Sequence, residues 1–206
     1  MHRHSLDFWY DFASPYSYLT AMRIEALAAA ADVDLRWRPF LLGPIFAAQG
    51  WTDSPLNLFP CKGRYLWRDL ARQSARLGLA LVRPAPFPQN SLTAARVALA
   101  LRDAGKTALF SRRVFAASFG EGRAISEPEV LTSILRSLEL DAGRVLAQAQ
   151  STEVKARLRA ETEEARTRGL FGAPSFLTTD GELFWGNDRL EEAIAWAAGD
   201  RPGAML

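Results

Sequence analysis

Ser14 is the first residue whose type and surroundings could do chemistry. It follows residues 5–12, a short segment rich in aromatic side chains, as buried strands often are. Pro15 comes next and suits the first turn of a helix, where its missing N–H is not needed. Ser14 would therefore lie at a helix N-terminus, where free N–H groups and the helix dipole favour an anion. The alternative is that Ser14 only caps this helix.

The small number of histidines and cysteines limits which catalytic and metal-binding groups the chain can have. His2 and His4 are the only histidines, and both lie at the N-terminus. We therefore expect no serine–histidine pair and no metal site, and we do not interpret Ser14 as a covalent nucleophile. Cys61 is the only cysteine, which excludes an intramolecular disulfide and a CxxC motif. We interpret Cys61 as an incidental thiol.

The elements around Ser14 must hold it in place. Residues 5–12 predict a strand, and residues 16–31 have the spacing and alanine content of a helix. Residues 33–40 alternate apolar and polar side chains, which predicts a second strand. A β-α-β unit of this kind has parallel strands and a right-handed crossover. The chain therefore opens on half of an α/β fold.

The middle of the chain is predicted to be helical. Residues 41–60 read as irregular because they carry several glycines and prolines, and residues 83–90 form a proline-rich connector. Ser126 is the expected cap of a helix that begins near Pro128. The predicted helices span 61–78, 91–105, 107–119, 127–138, 142–149 and 151–168.

Strand patterns return after Gly169. Residues 175–178 and 182–185 flank an Asp-Gly turn, which predicts a hairpin, and residues 188–198 predict a closing helix. The order is β-α-β, a helical block, then β-β-α. We predict one discontinuous α/β domain over residues 1–42 and 169–206, with an all-α domain over residues 43–168 inserted between its two motifs.

Composition excludes several functional classes. Of 206 residues 49% are hydrophobic, enough to bury a sizeable core. The net charge is only +2, from 25 basic and 23 acidic residues, which does not favour nucleic acid or a membrane surface as a partner. No stretch of 18 apolar residues and no signal-peptide pattern is present, so we expect a cytoplasmic protein without a membrane span.

Three segments resemble signatures of the 2-hydroxychromene-2-carboxylate isomerases. Phe8 to Leu19 reads FWYDFASPYSYL, which resembles the FxFDxxSPxSYL start of that family. Gly169 to Phe176 reads GLFGAPSF, and Phe184 to Leu190 reads FWGNDRL. The resemblance extends from about residue 6 to 196 and also covers kappa-class glutathione transferases and DsbA. It implies a thioredoxin-like fold with a helical insertion, and glutathione as the cofactor.

The resemblance implies roles at the centre of the site. Ser14 stands where redox relatives carry a reactive cysteine, and its hydroxyl would donate a hydrogen bond to the glutathione thiolate. Pro174 would follow a cis peptide bond and face Ser14, while the backbone of Ala173 would pair with the cysteinyl backbone of glutathione. The alternative for Pro174 is a trans proline at the start of a strand.

The resemblance also implies contacts to the ends of glutathione. Lys62 would pair with a carboxylate, and Asp53 matches by spacing a polar contact that is often asparagine, with Asn57 as an alternative. Asn187 and Asp188 would hold the γ-glutamyl end, with Asp188 at the ammonium. The alternatives are a solvated lysine at a helix start and an ordinary turn and helix cap at 187–188.

One further segment and a group of aromatic residues complete the candidates. Residues 87–91 could line the mouth of the cleft and supply Asn90 for the substrate, or form a loop that caps the next helix. The remaining aromatic residues are expected in the core: Phe8, Trp9, Phe12, Trp37, Phe40, Phe110, Phe115 and Phe119.

The sequence therefore leaves three functions open. The first is a glutathione-dependent isomerase, in which a thiolate adds reversibly to an aromatic or unsaturated carbonyl substrate. The second is a kappa-like glutathione transferase or peroxidase, and the third is a thioredoxin-like binding module without turnover. A dithiol oxidoreductase is disfavoured because Ser14 and Ser17 replace both cysteines of the usual motif. The resemblance also implies a homodimer.

Overall fold

A four-stranded sheet organises the molecule. The computed structural model describes residues 4–51 and 53–202, so His2 and the ends of the predicted 1–42 and 169–206 segments lie outside the described residues. The strand order is β2-β1-β3-β4. The strands span Ser5–Tyr10 (β1), Asp34–Pro39 (β2), Ser175–Thr178 (β3) and Leu183–Trp185 (β4).

The predicted strand pairing is confirmed. Strands β1 and β2 are parallel, whereas β3 runs antiparallel to both β1 and β4. Phe8 is fully buried in the middle of the sheet, where it pairs with Trp37 on one side and Phe176 on the other. A strand with sheet neighbours on both sides and both faces covered is expected to be mostly apolar. In β1 the polar residues are Ser5 and Asp7, and the buried Asp7 carboxylate pairs with Arg36 and Arg38 of β2.

The predicted single helix over residues 16–31 is wrong. The structure has two helices there, α1 (Pro15–Ala21) and α2 (Ile24–Ala30). Arg23 lies between them with φ −130°, and its side chain donates a hydrogen bond to the backbone oxygen of Asn187 at 2.7 Å. A long-range contact of this kind overrides local helix propensity. Ser14 caps α1, as predicted.

The helical insertion contains more structure than predicted between residues 41 and 60. Two short helices lie there, α3 (Leu42–Ala48) and α4 (Pro55–Leu58). Pro44 is tolerated because it lies in the first turn of α3, and Gly50 with φ +82° follows the end of that helix. The remaining helices of the insertion are α5 (Pro60–Leu77), α6 (Leu92–Ala100), α7 (Thr107–Phe115), α8 (Pro128–Ser137), α9 (Ala142–Ala149) and α10 (Thr152–Thr167).

The predicted cap at Ser126 is wrong, and Asp188 does not cap the closing helix. Helix α8 begins at Pro128, but Ser126 does not cap it, because its hydroxyl lies 3.5 Å from Gln89 Oε1 instead. The closing helix α11 spans Leu190–Ala198 after a 3₁₀ turn over Asn187–Arg189, so Asp188 lies in that turn and Arg189 occupies the cap position.

The main hydrophobic core crosses the predicted domain boundary. It joins sheet residues such as Phe8 to insertion residues such as Phe110 and Leu158. All eight aromatic residues predicted in the core are buried, as predicted. A smaller cluster around Trp9, Phe40 and Ile45 lies where β1 meets α3. Within the described residues, none of the helices is long and apolar enough to cross a membrane.

Candidate active site

One large cavity lies where the C-terminal end of β1 meets the helical insertion. Its volume is about 890 Å³. The walls come from the start of α1, from α3, from the first turns of α5, from residues 87–92 and from residues 171–173 together with Trp185. The cavity therefore opens between the two predicted domains, a common position for a ligand site.

Ser14 lies in the wall of this cavity with a defined hydrogen-bond pattern. Its Oγ accepts from the backbone N–H of Ser17 at 3.2 Å and donates to the backbone oxygen of Ala173 at 2.8 Å. The side chain is 6% exposed. The hydroxyl proton therefore bridges α1 and the turn before β3, and a stronger acceptor that enters the cavity could take it from Ala173.

The peptide bond between Ala173 and Pro174 is cis, as predicted. Ala173 lines the cavity, and within the described chain no hydrogen bond uses its N–H. The oxygen of Pro174 accepts from the N–H of Gly186 at 3.0 Å, which holds the turn against β4. Ala173 thus presents an unpaired backbone donor beside the Ser14 hydroxyl.

Asp11 is a cavity residue that the sequence analysis missed. It is 3% exposed, and its carboxylate accepts from the N–H groups of Ala13 at 2.9 Å and Leu42 at 2.8 Å. Burial raises the pKa of this carboxyl, and hydrogen bonds from Ala13, Leu42 and the Ser91 side chain oppose that shift. Asp11 therefore ties three walls of the cavity together. Its position three residues before Ser14 in the sequence could have indicated that Asp11 lies near the site.

Tyr16 also lines the cavity and was not predicted. Its hydroxyl donates to Asp69 Oδ2 at 2.8 Å. Burial, followed by the bond to Asp69, raises the pKa of Tyr16, and the nearby charge of Asp188 adds to this effect. Burial opposes ionisation of Asp69, but hydrogen bonds from Tyr16, Arg72 and Gln73 outweigh it and lower the pKa of Asp69.

Asn187 and Asp188 are not brought into the cavity wall. Asn187 is 5% exposed: its Oδ1 accepts from Thr20 Oγ1 at 2.9 Å, and its Nδ2 donates to Gln73 Oε1 at 2.7 Å. Through these hydrogen bonds the Asn187 side chain links the 3₁₀ turn to α1 and α5. Asp188 is exposed and lies near enough to Tyr16 to affect its titration. Its contact with the γ-glutamyl end stays a prediction.

Lys62 and Asp53 both line the cavity, on its outer side. Lys62 is exposed in the first turn of α5, with its Nζ 4.6 Å from the centre of the Phe59 ring. Asp53 Oδ1 accepts from the N–H of Ser54 at 2.6 Å, and the Nδ2 of Asn57 donates to both carboxylate oxygens. Asn57 thus supports Asp53 from outside the cavity wall.

Asn90 lines the cavity and also satisfies the start of the next helix. Its Oδ1 accepts from the N–H of Leu92 at 3.0 Å. Because that contact must use the amide oxygen, the Nδ2 group remains as a donor, and no described side chain or backbone oxygen accepts from it. Both sequence interpretations of Asn90 are therefore compatible with its position.

Two aromatic pairs in the cavity wall were missed. Phe46 and Trp51 have ring centres 5.4 Å apart, and Phe171 and Trp185 have ring centres 4.8 Å apart. Phe171 and Trp185 are 46% and 53% exposed, unusually open for large apolar side chains. Phe171 and Trp185 both belong to segments that carry the family resemblance. Only the short strand β3 and its turn separate them in the chain, so the sequence could have indicated that the two rings meet.

Other chemistry is limited at this site. In the described ranges 4–51 and 53–202, no three His, Cys, Asp or Glu side chains are placed to hold a metal ion. Cys61 is exposed outside the cavity wall, with its sulfur 3.3 Å from Arg64 Nη2. The groups available around Ser14 are thus hydrogen-bond donors, two carboxylates, one ammonium group and aromatic faces.

Comparisons with known proteins agree with this architecture. The family model of the DSBA-like thioredoxin domain matches residues 5–194. A 2-hydroxychromene-2-carboxylate isomerase of Sphingobium xenophagum is 29% identical over 91% of this chain and 94% of the relative. Glutathione S-transferase kappa 2 of Caenorhabditis elegans is 26% identical over 98% of this chain and 96% of its own. A solved 2-hydroxychromene-2-carboxylate isomerase superposes with a TM-score of 0.78 at 30% identity, covering 90% of each chain.

Proposed function

This chain belongs to the DSBA-like thioredoxin domain family, and from that membership we propose that it is a glutathione-dependent isomerase of unsaturated aromatic carbonyl compounds. The observation that carries the proposal is the Ser14 hydroxyl, which lines the cavity and donates to the Ala173 oxygen at 2.8 Å beside a cis proline. The named isomerases and kappa-class transferases among its relatives support a glutathione-related activity.

The cavity residues fit glutathione, a tripeptide with two carboxylates, an ammonium group and a thiol. The unpaired N–H of Ala173 matches a peptide oxygen of such a ligand, as in strand addition. Lys62 would hold one carboxylate, and Asp188 would meet the ammonium group. Ser14 would lie at the sulfur. The volume of about 890 Å³ leaves room for a second molecule beside the tripeptide.

When bound, glutathione supplies a thiolate that adds to the unsaturated carbon, allows rotation about the former double bond, and is then eliminated. Ser14 donates its hydroxyl proton to the sulfur as a hydrogen bond, while Ser17 N–H holds the Ser14 oxygen in place. Asn90 donates from Nδ2 to the carbonyl oxygen of the substrate, where negative charge develops. No residue needs to gain or lose a proton overall.

The isomerase is favoured over the transferase by the second half of the cavity. An open space flanked by aromatic pairs and by the Asn90 donor suits a conjugated carbonyl compound better than an electrophile that must lose a leaving group. We place the protein in the cytoplasm, where glutathione is abundant and reduced. The homodimer implied by the family stays a prediction.

Titration calorimetry with reduced glutathione, followed by an absorbance assay of cis–trans conversion, tests the proposal. We expect saturable binding and isomerisation of a cis aryl enone that requires catalytic, unconsumed glutathione. An assay with a halogenated nitroarene separates the transferase. Absence of binding at millimolar glutathione would contradict the proposal, and consumption of glutathione with the nitroarene alone would favour the transferase.

A further inference from the structure

The charges that line the cavity restrict what it can accept besides glutathione. Lys62 is the one cationic side chain among the described residues of the cavity wall, whereas Asp11 and Asp53 are both acidic. Two nearby arginines are directed elsewhere: Arg64 lies against Cys61, and Arg83 lies over the Trp67 ring at 5.2 Å. A carboxylate bound in the described part of the cavity can therefore pair with only one cationic side chain.

That side chain lies at the start of α5. Lys62 is in the first turn of this 18-residue helix, whose cap residue Phe59 makes no side-chain cap hydrogen bond. The ammonium group therefore lies at the positive end of the helix dipole. If Lys62 binds a glutathione carboxylate, a second carboxylate in the cavity has no cation left to pair with.

A second anion would also be repelled. The exposed Asp53 carboxylate stands in the same outer wall as Lys62. An unpaired carboxylate taken out of water into a site lined by apolar groups is strongly disfavoured. A neutral substrate avoids both the repulsion by the acidic residue and the free-energy cost of taking an unpaired carboxylate out of water.

The remaining walls are aromatic. Phe46 and Trp51 lie on the side of α3, and Phe171 and Trp185 lie on the side of the sheet. Trp185 occupies its position because residue 172 is glycine: a Cβ there would clash with the indole Nε1. The lack of a side chain at Gly172 therefore brings an indole beside Ala173, where a planar ring can stack on it.

We infer, resting on the proposed function, that the second substrate is a neutral, planar aryl enone without a carboxylate, bound against the Phe171–Trp185 pair with its carbonyl oxygen at Asn90. This substrate class differs from the carboxylate that appears in the name of the related isomerases. Lys62 then serves glutathione, and the aromatic pair serves the substrate.

A matched pair of compounds tests whether a negative charge on the substrate lowers its binding and turnover. Cis-benzylideneacetone and cis-benzylidenepyruvate share a skeleton and differ by a methyl group in place of a carboxylate. We expect kcat/KM for the ketone to exceed that for the keto acid by at least about tenfold. The saturated analogues benzylacetone and benzylpyruvate, which cannot react, should show the same order of Kd by quenching of tryptophan fluorescence. Equal values or a preference for the acids would overturn the inference.

Lys62→Met separates this inference from the proposed function. We expect it to raise the glutathione Kd about tenfold in calorimetry and to leave the benzylacetone Kd unchanged. If it weakens only benzylpyruvate and leaves the glutathione Kd unchanged, Lys62 serves the substrate and the inference is wrong. If the wild-type protein does not bind glutathione at all, the proposed function fails instead.

Trp185→Leu tests the aromatic pair, with Trp196→Leu as the matched control. Trp196 contacts Phe184 and Asp180 outside the cavity. We expect Trp185→Leu to raise the benzylacetone Kd about tenfold without changing the glutathione Kd, and Trp196→Leu to change neither. A Trp185→Leu protein that loses glutathione affinity and keeps benzylacetone affinity would assign the pair to glutathione and overturn the inference.

Discussion

Ser14 and Ser17 show how two identical side chains three residues apart differ in role. The Ser14 oxygen makes two hydrogen bonds at the cavity wall, whereas the Ser17 Oγ is buried without a partner among the described residues. These are the positions where a dithiol relative would carry its cysteines. One serine is therefore placed to act on a ligand, and the other is not.

Replacement of Ser14 should harm turnover far more than stability. We expect Ser14→Ala to lower kcat by ~10²–10³, by analogy with the loss of one donor to a developing negative charge. The lost helix cap should lower the free energy of unfolding by only about 0.5–2 kcal/mol. Steady-state kinetics and urea unfolding measure the two effects.

Ser17→Ala is the control for this variant. It removes a buried hydroxyl without a partner and keeps the Ser17 N–H that holds Ser14, so stability and turnover should both stay near wild type. Equal activity of wild type and Ser14→Ala on a confirmed substrate would remove the role assigned to Ser14.

Asp11 should give the protein a specific pH dependence. Burial raises its folded-state pKa above the ordinary value of 3.8, so the ionised form is disfavoured in the folded protein. The contribution of Asp11 to stability is therefore greatest below its unfolded pKa and declines as pH rises through the folded pKa. Relative to Asp11→Asn, wild type should lose unfolding free energy as pH rises above the ordinary value of 3.8.

Urea unfolding of both proteins across this range measures that difference. An opposite trend, in which wild type gains stability over Asp11→Asn as pH rises, would show that the hydrogen bonds from Ala13 and Leu42 outweigh burial. Asp11 lay within the quoted start motif, but its buried position and the opposing hydrogen bonds from Leu42 and Ser91 depend on residues that lie far along the chain.

At the scale of elements, helix α10 supports the cavity from behind. The Glu161 carboxylate is buried and accepts from Arg38 of β2 at 2.5 Å and from Arg102 at 2.8 Å. The next residue, Thr162, accepts from the N–H of Leu41 at 3.3 Å, directly before α3. Helix α10 thus fixes both the edge of the sheet and the helix that forms one cavity wall.

Loss of the Glu161 charge should destabilise the protein. Glu161→Gln removes one charged acceptor from Arg38, which keeps Asp7 and Glu164, and we expect the free energy of unfolding to fall by about 2 kcal/mol, as for a hydrogen bond to a charged group. Glu163→Gln on the solvent side of α10 removes an exposed pair with Arg166 and should leave the free energy of unfolding nearly unchanged. Urea unfolding of both variants measures the contrast, and equal effects would show that the buried network does not anchor α10.

The elements differ in how far the sequence predicts them. The hairpin around Gly181 and the helices α9 and α10 follow from local patterns, because their caps and turn residues are local. The break between α1 and α2 does not, since it depends on the contact from Arg23 to Asn187. Helix α3 was missed because its glycine and proline suggested a loop, although Asp11, directly after β1, accepts from its first N–H group.

At the scale of the whole molecule, the site lies between two units that share one core. Residues from the sheet and from the insertion belong to the same hydrophobic cluster. This continuous core holds the Ser14 side of the cavity against α5, and the smaller cluster around Ile45 holds α3 against β1. The division into residues 1–42 and 169–206 with an insertion over 43–168 stays a prediction about folding units, and the homodimer likewise.

The sequence predicted the candidate site best where a motif specifies a feature of the local backbone. Ser14, the cis bond before Pro174 and the cavity position of Lys62 follow from the resemblance together with simple helix and turn chemistry. Trp185 could not be placed in this way, because its position depends on the missing side chain at Gly172 across the turn. Long-range packing of this kind leaves no local pattern.

The pKa of the glutathione thiol in the complex, followed by thiolate ultraviolet absorbance against pH, tests most directly whether Ser14 holds the thiolate. We expect a pKa about two units below the ordinary thiol value of ~8.5, which corresponds to roughly 2.7 kcal/mol of stabilisation by Ser14 and its neighbours. In Ser14→Ala saturated with glutathione, the pKa should return most of the way to the ordinary value. An unshifted pKa in the wild-type complex, or the same lowered pKa in Ser14→Ala, would show that Ser14 does not hold the thiolate.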